Sequence, residues 1–303
     1  MMGPGIATSA ALAGHSVILV HRSPESAAKA QETIQRNLSQ LIAGKLIDRP
    51  QADRAGESVR LEPDLKRGLE GSFWIIESIN ENLPAKQELF QLIDEMTDPA
   101  VMLTSNTSGL CITDIAANVK HPARTATTHF WFPGHLVPLV EIVIGQETDP
   151  AVANRLKAIL LDWDKAPVIV KKDLPGQLAN RILQAVIREA GHIVDSGLAT
   201  AEDVDTAIKM GMGIRLPAWG PLEHIDAVGL DLALSVQDRV LPALFNEPTP
   251  ARRLKDLVES GNLGYKTGSG FYDWQTKDME ALSQTRDRFV MQALRFFKGD
   301  GGN

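Results

Sequence analysis

Apolar runs of four to six residues alternate with longer stretches whose apolar positions recur every three to four residues, which predicts short strands separated by helices. The strands expected are residues 17–20, 73–76, 100–104, 125–129 and 168–170. Between them, Ala7, Ser9, Ala10, Ala11 and Ala13 make a small-residue helix that Gly14 stops. Ser23 and Pro24 open a helix over 25–43, Pro84 opens one running to Met96, and a further helix covers 150–164. After Gly176 the strand signal disappears. Residues 178–194 are amphipathic, Gly197 ends that helix, and Thr200 with Glu202 and Asp203 starts the next. Residues 211–221, rich in Gly and Pro with Trp219, read as a loop able to close over a substrate, and Pro221 opens a helix ending near Gly229.

The order of a glycine pair (Gly3, Gly5), a small-residue helix and the strand 17–20 matches the second half of a dinucleotide-binding βαβ unit. No hydrophobic strand stands ahead of Gly3, so the first strand is expected to be missing, which means either a start placed too late or a damaged cofactor cradle. The fold class is therefore α/β: a doubly wound, Rossmann-type sheet over 1–172, an all-helical domain over 173–274 and a helical extension over 275–303. The boundary falls where Lys171, Lys172, Asp173 and Pro175 interrupt the apolar pattern.

Composition narrows the class of function. With 44% hydrophobic and 23% charged residues the chain is ordinary globular material, and its net charge of −7 with no basic, aromatic-interleaved run argues against nucleic-acid binding. Cys111 is the only cysteine, so no internal disulfide and no cysteine metal cluster can form, and no metal is expected. The run 6–20 lacks a basic leader and no stretch is long enough to span a bilayer, so the chain reads as cytosolic with a small-molecule ligand.

Chemistry concentrates between Ser105 and Glu141. Ser105, Asn106, Thr107 and Ser108 follow one predicted strand and His129 ends the next; strand exits are where an open α/β sheet gathers its ligands. Glu141 lies in the apolar run 136–144, where a carboxylate is costly to bury without a partner. His129 is a natural partner, and the pair would form an acid/base. Each residue has a plainer reading as well: the hydroxyls as caps for a helix beginning near Thr113, His129 as a structural histidine, Glu141 as an edge residue facing water. Elsewhere, His21 stands where an NAD-preferring unit usually carries an acid, and Arg22 with Ser23 either holds a 2′-phosphate or is surface charge, which leaves NADP open beside NAD. Glu81 and Lys86 form either a surface ion pair or a rim around a nucleotide.

Taken together, the motifs resemble the L-3-hydroxyacyl-CoA dehydrogenase family, including its carnitine, gulonate and crystallin-like branches. They are MMGPGIA at 1–7, ENLPAK at 81–86, SNTSGL at 105–110, HFWFPGHLVPLVE at 129–141, DLPGQLANR at 173–181, GPLEHIDAVGLD at 220–231 and GYKTGSGFYDW at 264–274. The resemblance implies a homodimer formed by the helical domain. It further implies His129 as the catalytic histidine, Glu141 as the acid that orients it, Ser108 as the hydroxyl on the reacting oxygen, and Asn180 as an amide supplied by the second domain on closure. Gly3, Glu81, Lys86 and Lys266 match cofactor-contact positions, and Met2, His21, Arg22 and Asn106 join them as cofactor-binding candidates, with His21 standing in place of the family's ribose acid.

The reaction so implied is oxidation of an L-3-hydroxyacyl-CoA, with hydride passing to NAD(P). Phe132-Pro133 replaces the family's Asn-Pro, and residues 135–141 and 211–220 look more like members acting on small free carboxylates, for which Arg215 is a candidate partner. A non-catalytic, crystallin-like role is the third reading.

Overall fold

In a computed structural model, residues 2–297 and Gly299 are described. The elements in order are α1 (Met2–Leu12), β1 (Val17–Val20), α2 (Pro24–Ala43), α3 (Arg49–Glu57), β2 (Val59–Glu62), α4 (Leu65–Leu69), β3 (Trp74–Glu77), α5 (Leu83–Met96), β4 (Met102–Ser105), α6 (Ile112–Ile115), β5 (Thr125–Phe130), β6 (Leu139–Val143), α7 (Pro150–Asp162), β7 (Ala166–Val170) and α8 (Ala179–Asp195). Helices α9 (Ala201–Ala207), α10 (Pro221–Val228), α11 (Leu230–Val240), α12 (Arg252–Glu259) and α13 (Met279–Phe297) follow. Two compact units result: one runs to Asn180 and takes in the chain from Asp287, and the other is Arg181–Arg286.

The first unit is the Rossmann-like part. Strands β1 and β2 pair in parallel, and β3-β4-β5-β6-β7 form a separate five-stranded sheet. No ladder joins β1 to β3 among the described residues. The five-stranded sheet is mixed rather than wholly parallel, because β6 runs antiparallel to β5 and parallel to β7. Side chains alternate across it. Met102 joins Phe130, Val140, Ile142 and Leu156 on one face, while Leu103 joins Phe90, Ile93 and Ile115 on the other.

Glycines 3 and 5 sit inside α1 rather than in a turn before it. Gly5 lets α1 approach the chain after β5, since a Cβ there would stand 3.3 Å from the backbone nitrogens of both Gly134 and His135. Ser23 caps α2 through a capping box with Ser26, as its position before Pro24 predicts. The stretch between α2 and β3, featureless in sequence, holds α3, β2 and α4.

In the second unit, Thr200 caps α9 with Asp203, and Gly197 (φ 73°) terminates α8. The expected loop over 211–221 is partly helical, beginning within a π-type turn, Ile208–Gly213. Tyr272 donates to Asp205 and to the Ala201 carbonyl, which ties the glycine-rich turn before it to α9. Among the described residues no helix is long and apolar enough to cross a membrane.

Candidate active site

Antiparallel pairing of β5 with β6 sets His129 directly opposite Glu141. Directly opposed residues project to the same face with Cβ atoms about 5 Å apart, and His129 Nδ1 lies 2.7 Å from Glu141 Oε2. Glu141 is completely buried and is met by four donors. Its Oε2 also accepts from Trp131 Nε1 at 3.0 Å, and its Oε1 accepts from the backbone N–H groups of Leu178 and Ala179 at 2.9 and 2.8 Å. Those two amides belong to the start of α8, so the carboxylate occupies the helix's positive end.

Burial alone would raise this carboxyl. The hydrogen bonds from His129, the Ala179 N–H, Trp131 and the Leu178 N–H outweigh it and hold Glu141 at about 2, against an ordinary 4.5. An ionised carboxylate only accepts, so the shared proton sits on Nδ1 and leaves Nε2 of His129 as the nitrogen able to exchange one.

A second cluster surrounds Glu81. Its Oε1 accepts from Thr107 Oγ1 at 2.6 Å and from the N–H groups of Ser108 and Gly109 at 3.1 and 3.0 Å. Burial raises this carboxyl too, but the bonds from Thr107 and Gly109, the nearby Lys86 charge and the Ser108 N–H bring it below the ordinary range. Lys86 is buried rather than at a surface rim. Its ammonium lies 2.8 and 2.9 Å from the two oxygens of Glu77 and 3.5 Å from Glu81. Ser105 Oγ also donates to Glu77. Thus Ser105, like Thr107, binds an acid instead of capping α6, whose N-cap is Cys111.

Residues 177–180 join the clusters. Gln177 Nε2 donates to the Thr107 carbonyl at 2.9 Å, Leu178 and Ala179 hold Glu141, and Asn180 Nδ2 donates to the Ser108 carbonyl at 3.1 Å. Asn180 is the last residue of the first compact unit. Ser108 is exposed, and Asn106 Oδ1 accepts from the Phe130 N–H next to His129.

The remaining sequence candidates lie elsewhere. Met2 and Gly3 begin α1, whose first turn carries no acid, and a Cβ on Gly3 would come 3.3 Å from Leu19 Cδ1. A glycine-containing helix N-terminus free of negative charge fits the pyrophosphate of a dinucleotide. His21 and Arg22 follow β1; Arg22 is exposed, and Ser23, its expected partner on a 2′-phosphate, is engaged in capping α2. Lys266 is exposed in the second unit's turn between Gly264 and Ser269. Arg215, also exposed there, bonds the Gly211 carbonyl.

Sequence reasoning missed Glu77, Trp131 and Gln177. For Glu77 a signal existed, since a carboxylate closing the apolar run Trp74–Glu77 poses the same burial problem that singled out Glu141.

A dinucleotide-binding unit with a histidine–carboxylate pair at its sheet defines a class of NAD-dependent oxidoreductase, and comparison with known proteins gives the same class. Residues 1–174 match the NAD binding domain of 3-hydroxyacyl-CoA dehydrogenase, and residues 176–274 match that enzyme's C-terminal domain. The chain belongs to the 3-hydroxyacyl-CoA dehydrogenase family, and its cofactor is NAD.

Among relatives, the 5-formyl-3-hydroxy-2-methylpyridine 4-carboxylate 5-dehydrogenase of Mesorhizobium japonicum is 29% identical over 98% of this chain and 96% of its own. A crystal structure of such an enzyme, described as an NAD+-dependent dismutase, superposes with a TM-score of 0.91, again with 98% and 96% covered. The (S)-3-hydroxybutyryl-CoA dehydrogenase of Ralstonia eutropha is 31% identical with a TM-score of 0.75, covering 90% of this chain and 95% of that one.

Proposed function

We propose that the chain oxidises the hydroxyl, or hydrated aldehyde, of a small free carboxylate, with His129 as acid/base. The observation that carries the chemistry is the 2.7 Å bond between His129 Nδ1 and the ionised Glu141. Nε2 takes the hydroxyl proton, and Glu141 holds the ring in the required tautomer and stabilises the imidazolium that forms. NAD, held at this site, would supply the acceptor for the hydride that leaves the same carbon. Ser108 and Asn180, which share the 107–109 segment, orient the oxygen. Glu81, with Lys86 behind it, Asn106, Met2 and Gly3 serve the cofactor, as do His21, Arg22 and Lys266.

A free carboxylate is favoured over a thioester by the near-complete superposition on the pyridine-carboxylate enzyme, TM-score 0.91 against 0.75 for the hydroxybutyryl-CoA enzyme. The second reading, an L-3-hydroxyacyl-CoA, has the higher sequence identity in its favour, 31% against 29%.

The test is NADH production from a pyridine or aliphatic hydroxy-carboxylate and, separately, from L-3-hydroxybutyryl-CoA. The expected result is turnover of the free acid, lost by roughly 10²- to 10⁴-fold in His129→Ala while NADH still binds. Arg215→Ala is expected to impair only the free acid. Turnover confined to the thioester would establish the second reading instead.

A homodimer goes with this function. Helices α8, α10 and α11 have no fully buried residue, and Ile182, Leu222, Leu230 and Leu234 are all more than half exposed, a surface that a second copy would cover. A cytoplasmic setting suits a chain whose one cysteine leaves no disulfide to lose.

A further inference from the structure

The family's two domains account for residues 1–274, and α13 lies beyond them. From Asp287 onward this helix is nevertheless part of the nucleotide-binding unit. From Asp287 on, Asp287, Val290, Met291, Leu294 and Arg295 are half-buried at helical spacing and mark a docked face, with half-buried Ala293 beside it. Met291 lies over Gly44, the C-cap of α2: a Cβ on Gly44 would run into the Met291 side chain. The absence of a side chain at Gly44 therefore has a packing reason, since its φ of −76° is open to any residue.

One turn before Gly44, Gln40 uses both ends of its amide. Its Nε2 donates to Asp287 Oδ2 at 2.8 Å, and its Oε1 lies 2.9 Å from His135 Nε2. An amide oxygen only accepts, so His135 carries its proton on Nε2. His135 belongs to the connection between β5 and β6, six residues after His129 and six before Glu141. The same connection carries Trp131, which donates to Glu141, and it is fixed elsewhere by Ser9 Oγ and Lys165 Nζ on the Gly134 carbonyl. A continuous path thus runs from α13 through Gln40 and His135 to the segment that shapes the His129–Glu141 pair.

We infer that α13 is a positioning element of the active site: docked on α2, it sets the 131–137 segment through Gln40 and so holds the acid/base pair in its working geometry. This rests on the role proposed for His129. Trp131 is the helix's point of action, because a shift of that indole removes one of the four donors on Glu141 without touching the ladder that pairs β5 with β6.

Two variants attack the path at different points. Gly44→Leu forces α13 off α2, and Met291→Ala in the same chain makes room and lets it return. Gln40→Leu cuts both amide bonds while leaving the helix docked. Backbone hydrogen exchange over 131–141 is expected to quicken in Gly44→Leu and Gln40→Leu and to recover in the Gly44→Leu, Met291→Ala double variant. With it, kcat falls about ten- to a hundred-fold, KM for NAD is unchanged, and kcat recovers in the double variant.

Wild-type exchange over 131–141 in a Gly44→Leu chain whose α13 amides have become fast would overturn the inference, and so would quickened exchange with unaltered kcat. Failure of the underlying role for His129 shows separately, as turnover retained by His129→Ala.

Discussion

Glu141 concentrates the electrostatics of this protein in one side chain. Buried without contact with water, it is ionised only because four donors face it, and its removal from the ordinary range becomes a stability term. The folded value, about 2, lies below the ordinary 4.5, so the stabilisation is complete above the unfolded value and is lost as the pH falls from about 4.5 toward 2. It amounts to about 3 kcal/mol at most. Urea midpoints measured across that window should fall steeply for the native chain and more gently for Glu141→Gln; parallel curves would refute the assignment. Trp131→Phe removes one donor and raises the folded value, so the fall should still begin near 4.5 but end at a higher pH and be smaller, read from the same titration. Glu141 and His129 are recognisable in the sequence because a lone acid in an apolar run demands a partner. Glu77 poses the same demand, but its partner Lys86 is nine residues away on α5, and the sequence pattern gives no hint that this lysine turns inward.

Strands and helices are placed by the sequence wherever the apolar pattern is long or a cap is unambiguous: β1, α2, α5, α7 and α8 fall within a residue or two of expectation. The region 45–72 resists such reading because β2 is short and half charged, Val-Arg-Leu-Glu, and α3 contains almost no apolar side chain larger than alanine. The direction of β6 is also hidden, since an apolar run looks the same whichever way it is paired. Yet that direction decides the active site, for the antiparallel register is what puts His129 across from Glu141. The connection between these strands is held close to α1 by the bare backbone of Gly5. Gly5→Ala places a methyl 3.3 Å from two backbone nitrogens that no side-chain rotation can relieve, and should cost about 1–3 kcal/mol. Chemical denaturation would measure the loss, and a loss below about 0.5 kcal/mol would mean that the approach is looser than drawn.

For the molecule as a whole, the second unit presents the clearest demand for a partner. Along α11, Leu232, Val236 and Val240 follow one another at four-residue spacing and are about half exposed. Changing Leu232 and Val236 to Asp should halve the mass seen by light scattering if a second copy covers this stripe; an unchanged mass would place the dimer contact elsewhere. Alternation of strands and helices, the helical C-terminal part and the His129–Glu141 candidates were determined by the sequence alone, because each rests on local periodicity or on the burial cost of a single polar residue, and the family was marked by the resemblance of its seven motifs in order. Only the tertiary structure decided which acid each hydroxyl serves, that Lys86 is buried, that Asn180 groups with the first unit, and that the last helix returns to α2. Those outcomes depend on side chains of different elements meeting, from 9 residues apart for Lys86 and Glu77 to 247 for Gln40 and Asp287, where the free energy lies in the geometry of the encounter and no local pattern of the chain records it.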